Sequence, residues 1–147
     1  MDFDECVSAP AQNCSYENLQ FSYFCGSARL CQNGSSSEAV QRAKYNVEAY
    51  FSVVGLSHDL KRSFQLLEAL LPRFFSGAPE VFRKAAHVRI NANSYKPIAN
   101  STISYLMALP WIENEFDFFN FIQQHFELQY RSLIEKNNAQ SDVYLEN

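Results

Sequence analysis

The strongest pattern along the chain is a stripe of apolar side chains near its C-terminus. Between residues 111 and 135, apolar side chains recur every three or four positions, which is the spacing of one face of an α-helix. The stripe consists of Ile112, Phe116, Phe119, Ile122, Phe126, Tyr130 and Leu133. Phe118 and Phe121 widen it, so we expect a helix buried on two sides or at a subunit contact. The polar residues 136–147 are expected to form a frayed tail.

Two further helices are expected in the middle of the chain. Ser35 and Glu38 fit a capping box, which predicts the start of the first helix. Ser57 fits the N-cap of the second, and Pro72 is expected to stop it. The apolar faces are formed by Ala39, Val40, Ala43 and Val47 in the first helix, and by Leu60, Phe64, Leu67 and Leu71 in the second.

Short strands are expected on either side of the first of these helices. Residues 19–24 largely alternate between apolar and polar side chains, and residues 49–54 are rich in Tyr, Phe and Val and end at Gly55. A helix, a strand and a helix in succession are typical of an α/β domain. The pattern therefore predicts an α/β fold that is mostly helical here, with one or two strands.

A cluster of basic residues lies in a segment, 73–98, that the pattern predicts to be irregular. The cluster consists of Arg83, Lys84, His87, Arg89 and Lys96. Because guanidinium and ammonium groups pair with phosphate and sulfate, the cluster fits an anion-binding loop. A solvated connector explains the same composition, and the residues alone leave both interpretations open.

Composition limits the class of protein. The chain has 147 residues, 47% of them hydrophobic and 19% charged, which fits one globular domain or part of one. Its formal net charge of −4 supplies no general attraction to nucleic acid. None of the glycines lies in a phosphate-loop motif, and the longest apolar run, residues 66–75, is too short and interrupted to span a bilayer.

The cysteines all fall in the first 31 residues, at Cys6, Cys14, Cys25 and Cys31. Their spacing does not match the close pairs of a zinc site, so we expect no metal. Four cysteines allow three pairings, of which the sequential one closes two short loops. Three glycosylation sequons favour a secretory compartment over free thiols in a cytosolic protein. They begin at Asn13, Asn33 and Asn100.

Two classes of signal are missing from the sequence. Residues 1–5 are acidic and do not resemble a signal peptide, so we expect either a cytosolic chain or a fragment whose targeting segment lies upstream. The histidines, His58, His87 and His125, occur in no hydrolase or metalloprotease motif. We therefore assign no catalytic residue from the motifs.

Several blocks of sequence, taken together, resemble the C-terminal half of the heparan sulfate 2-O-sulfotransferases and the related uronyl 2-sulfotransferases, including the Pipe proteins. The most specific block is residues 66–78, LLEALLPRFFSGA. The others are the four-cysteine frame, AKYN at residues 43–46, VG at 54–55 and ENEF at 113–116. The resemblance extends over about residues 3–133.

The resemblance implies a fold and an activity. The fold is the three-layer α/β/α arrangement of P-loop-like sulfotransferases, of which residues 1–135 would form the C-terminal part. The enzymes transfer a sulfuryl group from 3′-phosphoadenosine 5′-phosphosulfate to the 2-hydroxyl of a uronic acid in heparan or dermatan/chondroitin chains, without a metal. They are Golgi-lumenal type II membrane glycoproteins, anchored here only if an upstream segment exists. A glycosaminoglycan chain and further copies in a trimer are the expected partners, and nucleic acid is not.

The resemblance also implies site residues. The family's catalytic histidine and phosphosulfate loop lie in the N-terminal half, so none is assigned here and the isolated chain is expected to be inactive. The segment 82–98 is expected to contact the donor through Phe82, Arg83, Ala86, Asn91 and Ser94, and the glycan through Arg89. Sequential disulfides, Cys6–Cys14 and Cys25–Cys31, would pin residues 1–34.

This sequence also departs from the family pattern. The family's Gly-Lys pair is missing from the segment 82–98, and the segment is shorter. A non-catalytic, degenerate paralogue or a secreted glycan-binding module is therefore the alternative expectation.

Overall fold

The computed structural model describes residues 2–8, 20–85 and 97–145, with side chains up to Asn137. Within these ranges every regular element is helical, and no helix is long and apolar enough to cross a membrane. The elements are α1 (Phe3–Ser8), α2 (Gln20–Cys25), a 3₁₀ turn (Arg29–Gln32), α3 (Ser37–Tyr50), α4 (Leu60–Leu70), α5 (Pro72–Phe75), α6 (Ala78–Ala85), α7 (Asn100–Met107) and α8 (Pro110–Leu145).

Both expected strands are wrong in the described part of the chain. Gln20–Cys25 is helix α2, because Phe21 and Cys25, one helical turn apart, are both buried at 0% and 1% exposure. An alternation over only six residues does not distinguish a strand from a helix whose buried residues lie at positions i and i+4. Residues 49 and 50 end α3, and the residues after them carry no strand. The sheet of an α/β fold is thus not seen in the described ranges, and that part of the fold class stays a prediction.

The chain forms two compact units, which we describe separately. The first comprises Met1–Ala49 and Ala92–Phe119, and the second comprises Tyr50–Asn91 and Asn120–Asn147. Helix α8 contributes residues to both units.

The core of the first unit is built around α2 and α3. The Cys25–Cys31 disulfide joins α2 to the 3₁₀ turn, with its Cα atoms 5.5 Å apart. Asn46 Nδ2 donates to the carbonyl oxygens of Phe24 (2.8 Å) and Cys25 (3.2 Å), which satisfies acceptors at the C-terminal end of α2. The most deeply buried side chains are Phe21, Cys25, Cys31, Ala39, Val40, Ala43, Val47 and Phe118.

Helix α3 begins one residue later than the capping-box pattern predicts. The N–H of Ser35 donates to Asn33 Oδ1 at 3.1 Å and so belongs to the preceding turn. Ser36 Oγ therefore serves as the cap, accepting the N–H of Ala39 at 3.2 Å.

In the second unit, helix α4 is fixed at its start by polar contacts. Its N-cap is Asp59, not the predicted Ser57, and Asp59 Oδ1 accepts the N–H of Arg62 at 3.2 Å. Ser63 is buried and bonds both backbone groups of Leu56, at 2.8 and 3.1 Å. A short polar residue fits this position because its hydroxyl accepts the N–H of Leu56 and donates to the Leu56 carbonyl, which also accepts the N–H of Asp59 at 3.0 Å.

Helix α8 confirms the helix predicted for residues 111–135 and extends it. The expected frayed tail is wrong in this respect, because the helix continues through Leu145. Its most buried side chains are Phe118, Ile122 and Phe126, whereas Phe116 is 49% exposed. The buried face is therefore rotated towards Phe118 relative to the stripe expected at the start of the helix.

Candidate functional site

The segment expected to contact the donor begins in a helix, at residues 82–85, whereas residues 97 and 98 at its other end lie in no helix. The expectation of irregular chain from residue 73 is wrong, because Pro72–Phe75 is α5 and Ala78–Ala85 is α6. Phe82 and Arg83 therefore lie in the second half of α6. The other assigned residues lie outside the described ranges, and their roles stay predictions; they are Ala86, Arg89, Asn91 and Ser94, together with His87 and Lys96 of the basic cluster.

The local sequence explains why three helices follow one another here. Helix α4 closes with the N–H of Leu71 donating to Leu67 O at 2.8 Å, and Pro72 then occupies the first position of α5, where a missing N–H costs nothing. Gly77 has a φ of +79°, a conformation that favours glycine, and it turns the chain into α6. The LLEALLPRFFSGA block thus specifies the path that places α6.

Phe82 is partly used by the fold itself. Its ring packs against Phe64 of α4, with the centroids 5.1 Å apart and the planes tilted by 37°. The side chain is half-buried, so it keeps some accessible surface. Phe82 can therefore contact a flat ligand only with the part of its ring that Phe64 does not cover.

Arg83 and Lys84 form an exposed ion-pair cluster with Glu80 within α6. Arg83 donates to both Glu80 oxygens, at 2.8 and 2.7 Å, and Lys84 Nζ lies 3.3 Å from Glu80 Oε1. The Arg83 guanidinium, and secondarily the Lys84 ammonium, hold the pKa of Glu80 below its usual value. Because exposed pairs of this kind contribute little to stability, an anionic ligand could take over both cations at small cost.

Arg73 is a cation that the sequence analysis did not select. It lies exposed on α5, with its guanidinium carbon 6.0 Å from the centre of the Phe74 ring, and no described carboxylate is within 4.0 Å of it. Its position inside the PRFF block is the feature of the sequence that could have identified it. An exposed guanidinium without an ion-pair partner is free to bind an anion.

Two of the three histidines, His58 and His125, lie in the described ranges. His58 is exposed ahead of α4, and His125 is half-buried on α8 with its ring stacked at 6.0 Å on Phe121. No group of three His, Cys, Asp or Glu side chains in the described ranges is placed to hold a metal ion. The exposed cations of α5 and α6 make this region a candidate for binding and positioning an anionic ligand.

The structure tests some of the predicted disulfides and glycosylation sites, which are the features that indicate a secretory compartment. The predicted Cys25–Cys31 disulfide is confirmed. Cys6 is also disulfide-bonded, but its predicted partner Cys14 lies outside the described residues. Asn33 and Asn100 are exposed, while Asn13 lies outside the described ranges, and glycosylation of all three stays a prediction.

Comparison with known proteins places the chain among sulfotransferases. It is 38% identical to heparan sulfate 2-O-sulfotransferase 1 of Xenopus laevis, in a match covering 84% of this chain and 37% of that protein. The human protein of the same name is 37% identical over the same shares. A heparin sulfate O-sulfotransferase of Drosophila melanogaster is 31% identical over 97% of this chain and 42% of its own length. No family model matches the chain.

These matches confirm the resemblance inferred from the sequence blocks. The chain is a homologue of sulfotransferase enzymes. More particularly, it belongs with the heparan sulfate 2-O-sulfotransferases. It spans little more than a third of the length of the vertebrate relatives.

Proposed function

We propose that the chain is part of a glycosaminoglycan sulfotransferase acting on the 2-hydroxyl of a uronic acid. The single observation that carries the proposal is the 35–38% identity to several vertebrate heparan sulfate 2-O-sulfotransferases over 84% of the chain. The LLEALLPRFFSGA block supports it as well, because its residues specify a defined helix path and not merely an apolar run.

The proposed reaction requires positioning more than covalent chemistry. The uronic acid hydroxyl oxygen attacks the sulfur of 3′-phosphoadenosine 5′-phosphosulfate, a base takes the hydroxyl proton, and the sulfur–oxygen bond to the nucleotide breaks. The leaving group is adenosine 3′,5′-bisphosphate, whose developing charge cations and backbone N–H groups stabilise. In this proposal the present residues bind and orient the donor, and the base belongs to another part of the enzyme.

The proposed donor contacts begin on α6. Phe82 offers its uncovered ring surface to adenine, and Arg83 exchanges Glu80 for a phosphate. Ala86, Asn91 and Ser94 continue the donor contact, and Arg89 contacts the acidic glycan. Arg73 adds a further exposed guanidinium to this unit.

We also propose the setting that such an enzyme needs. Glycosaminoglycans are sulfated in the Golgi lumen, so the full protein would be a type II membrane glycoprotein that acts as a homo-oligomer, with a trimer as the expected state. The Cys25–Cys31 disulfide supports an oxidising compartment. Heparan and dermatan/chondroitin chains are both acceptable polymers in this proposal.

A chimeric enzyme tests the activity directly. The matching segment of the Xenopus laevis relative is replaced by this chain, and sulfate transfer from 3′-phosphoadenosine 5′-phosphosulfate to desulfated heparan and dermatan is measured with disaccharide analysis. We expect 2-O-sulfated uronic acid. Within the chimera, Phe82→Ala should mainly raise the donor KM, and Arg89→Ala should weaken glycan binding and steepen its loss with salt.

The second candidate is a non-catalytic glycan-binding protein. It is favoured by the missing Gly-Lys pair and the shortened donor segment, which reduce the contacts available to the nucleotide. In that case the chimera would fold and bind heparin but transfer no sulfate. The unmodified Xenopus laevis relative, which carries its own segment, is the matched control for folding and for the assay.

A further inference from the structure

Helix α6 is held to α4 at two separate points. One is the packing of Phe82 on Phe64 in the second half of α6. The other is at its beginning, where the N–H of Gly77 donates to Glu68 Oε1 across 2.6 Å. One contact just before the helix and another five residues further along fix its direction as well as its position.

The contact of Glu68 is unusual for a surface carboxylate. Glu68 is half-buried, and among the described residues it has no ion-pair partner within 4.0 Å. Its oxygen instead accepts the backbone N–H of Gly77, which lies immediately before α6 and whose carbonyl accepts the N–H of Val81 at 3.1 Å. A bond from a backbone N–H to a charged oxygen is among the stronger hydrogen bonds in proteins.

Gly77 makes this contact possible through its backbone. A Cβ at this position would meet no atom within 4 Å, so space does not require glycine. The φ of +79° is what requires glycine, because residues with a side chain rarely adopt this angle. Glu68 and Gly77 thus form one contact between two positions of the LLEALLPRFFSGA block that are nine residues apart.

We propose that Glu68 is a positioning residue for the donor site. Its carboxylate fixes the start of α6, and through α6 it sets where Phe82 and Arg83 face the ligand. The part of this inference that concerns donor binding rests on the proposed function. The part that concerns the Glu68–Gly77 contact rests on the geometry alone. Glu68 touches neither substrate nor donor, so it acts only through the helix.

Amide hydrogen exchange on the 147-residue chain tests the geometric half. Glu68→Ala should raise the exchange of the Gly77 and α6 amides about tenfold, the equivalent of one charge-assisted hydrogen bond. Glu68→Gln keeps an acceptor oxygen and should restore most of the protection. Gly77→Ala should loosen the same amides, and Glu135→Ala, which removes an exposed carboxylate from α8, should change nothing. Unchanged α6 exchange in Glu68→Ala, or an equal rise throughout α4, would overturn the positioning role.

Donor kinetics of the chimeric enzyme test the other half. Glu68→Ala should raise the donor KM several-fold with kcat nearly unchanged, and Glu68→Gln should recover the wild-type KM. A wild-type donor KM in Glu68→Ala, despite a loosened α6, would contradict the link to the donor. A chimera without any sulfate transfer would contradict the proposed function and the donor half together, while the exchange result would still decide the Glu68–Gly77 contact.

Discussion

At the scale of single residues, Arg62 of the second unit is a cation that bonds on two edges and packs on two rings. Its guanidinium bonds Asp59 at one edge and both oxygens of Glu127 at the other, at 2.9 and 2.8 Å. The same group lies 5.4 Å from the ring centre of Phe126 and 5.2 Å from that of Tyr130. The planar fork and the flat face of arginine are both used, so a lysine cannot replace it fully.

We therefore expect Arg62→Lys to lower the free energy of unfolding. The loss should be about 1–2 kcal/mol, since the charge remains but the two-sided bonding and ring stacking are lost at a partly exposed site. Urea unfolding of the 147-residue chain measures it. Arg42→Lys is the control, because Arg42 is exposed on α3 and forms no ion pair with a described residue. Equal midpoints for the two variants would show that the guanidinium geometry is unimportant.

Glu115 gives a pH-dependent prediction in the first unit. It lies half-buried on α8 and accepts the N–H groups of Gln20 and Phe21 at the start of α2, but burial outweighs these bonds and raises the pKa of its carboxyl above 4.5. The folded state then binds this proton more tightly than the unfolded chain does. The corresponding stability is present below pH 4.5 and is lost as the pH rises through the raised pKa.

Glu115→Gln removes this titration and keeps an acceptor oxygen. The stability of the variant relative to wild type should therefore increase as the pH rises above 4.5 and passes through the raised pKa of Glu115, and it should level off above that pKa. Unfolding free energies measured across this range test the sign, since the other carboxylates are common to both proteins. A difference that is constant or falls with pH would contradict it.

At the scale of elements, α8 supplies the buried surface of both units through different side chains. Phe118 is 1% exposed in the first unit, and Phe126 is 0% exposed in the second. In the first unit, Phe118 contacts the ring of Phe24 at 5.1 Å. The helix is therefore required by each core independently.

Phe126→Asp should destabilise the second unit strongly. An unpaired carboxylate in this core is expected to cost about 4 kcal/mol or more. Leu128→Asp is the matched control, because Leu128 is 65% exposed on the same helix. Thermal unfolding should show a large decrease for the first variant and little change for the second. Similar midpoints for both would mean that Phe126 is not in the core.

The elements also show which features a sequence pattern can reveal. Helices α3, α4 and α8 are predicted correctly because each repeats an apolar face over at least three turns. Helix α6 is missed because Gly77 and Pro79 look like helix breakers, whereas one precedes the helix and the other lies in its first turn, where proline is tolerated. Glu68 is missed as well, because its bond to Gly77 depends on two intervening turns that no periodicity encodes.

At the scale of the whole molecule, the described residues form two compact units and carry exposed cations on α5 and α6. The Cys25–Cys31 disulfide is buried in the first unit, and Phe118 and Phe126 of α8 are buried in the first and second units, respectively. The chain also spans only 37% of the length of its vertebrate relatives.

We therefore predict that the 147-residue chain folds but does not transfer sulfate by itself. The resemblance assigns the base and the phosphosulfate loop to residues outside this segment, and positioning without a proton acceptor leaves the hydroxyl a poor nucleophile. The measurement is transfer of labelled sulfate from 3′-phosphoadenosine 5′-phosphosulfate to desulfated heparan, with the active relative as positive control. Circular dichroism of the same sample verifies that the helices are formed. If sulfate transfer co-purifies with the chain and is abolished by His125→Ala or His58→Ala, the base lies within these residues instead.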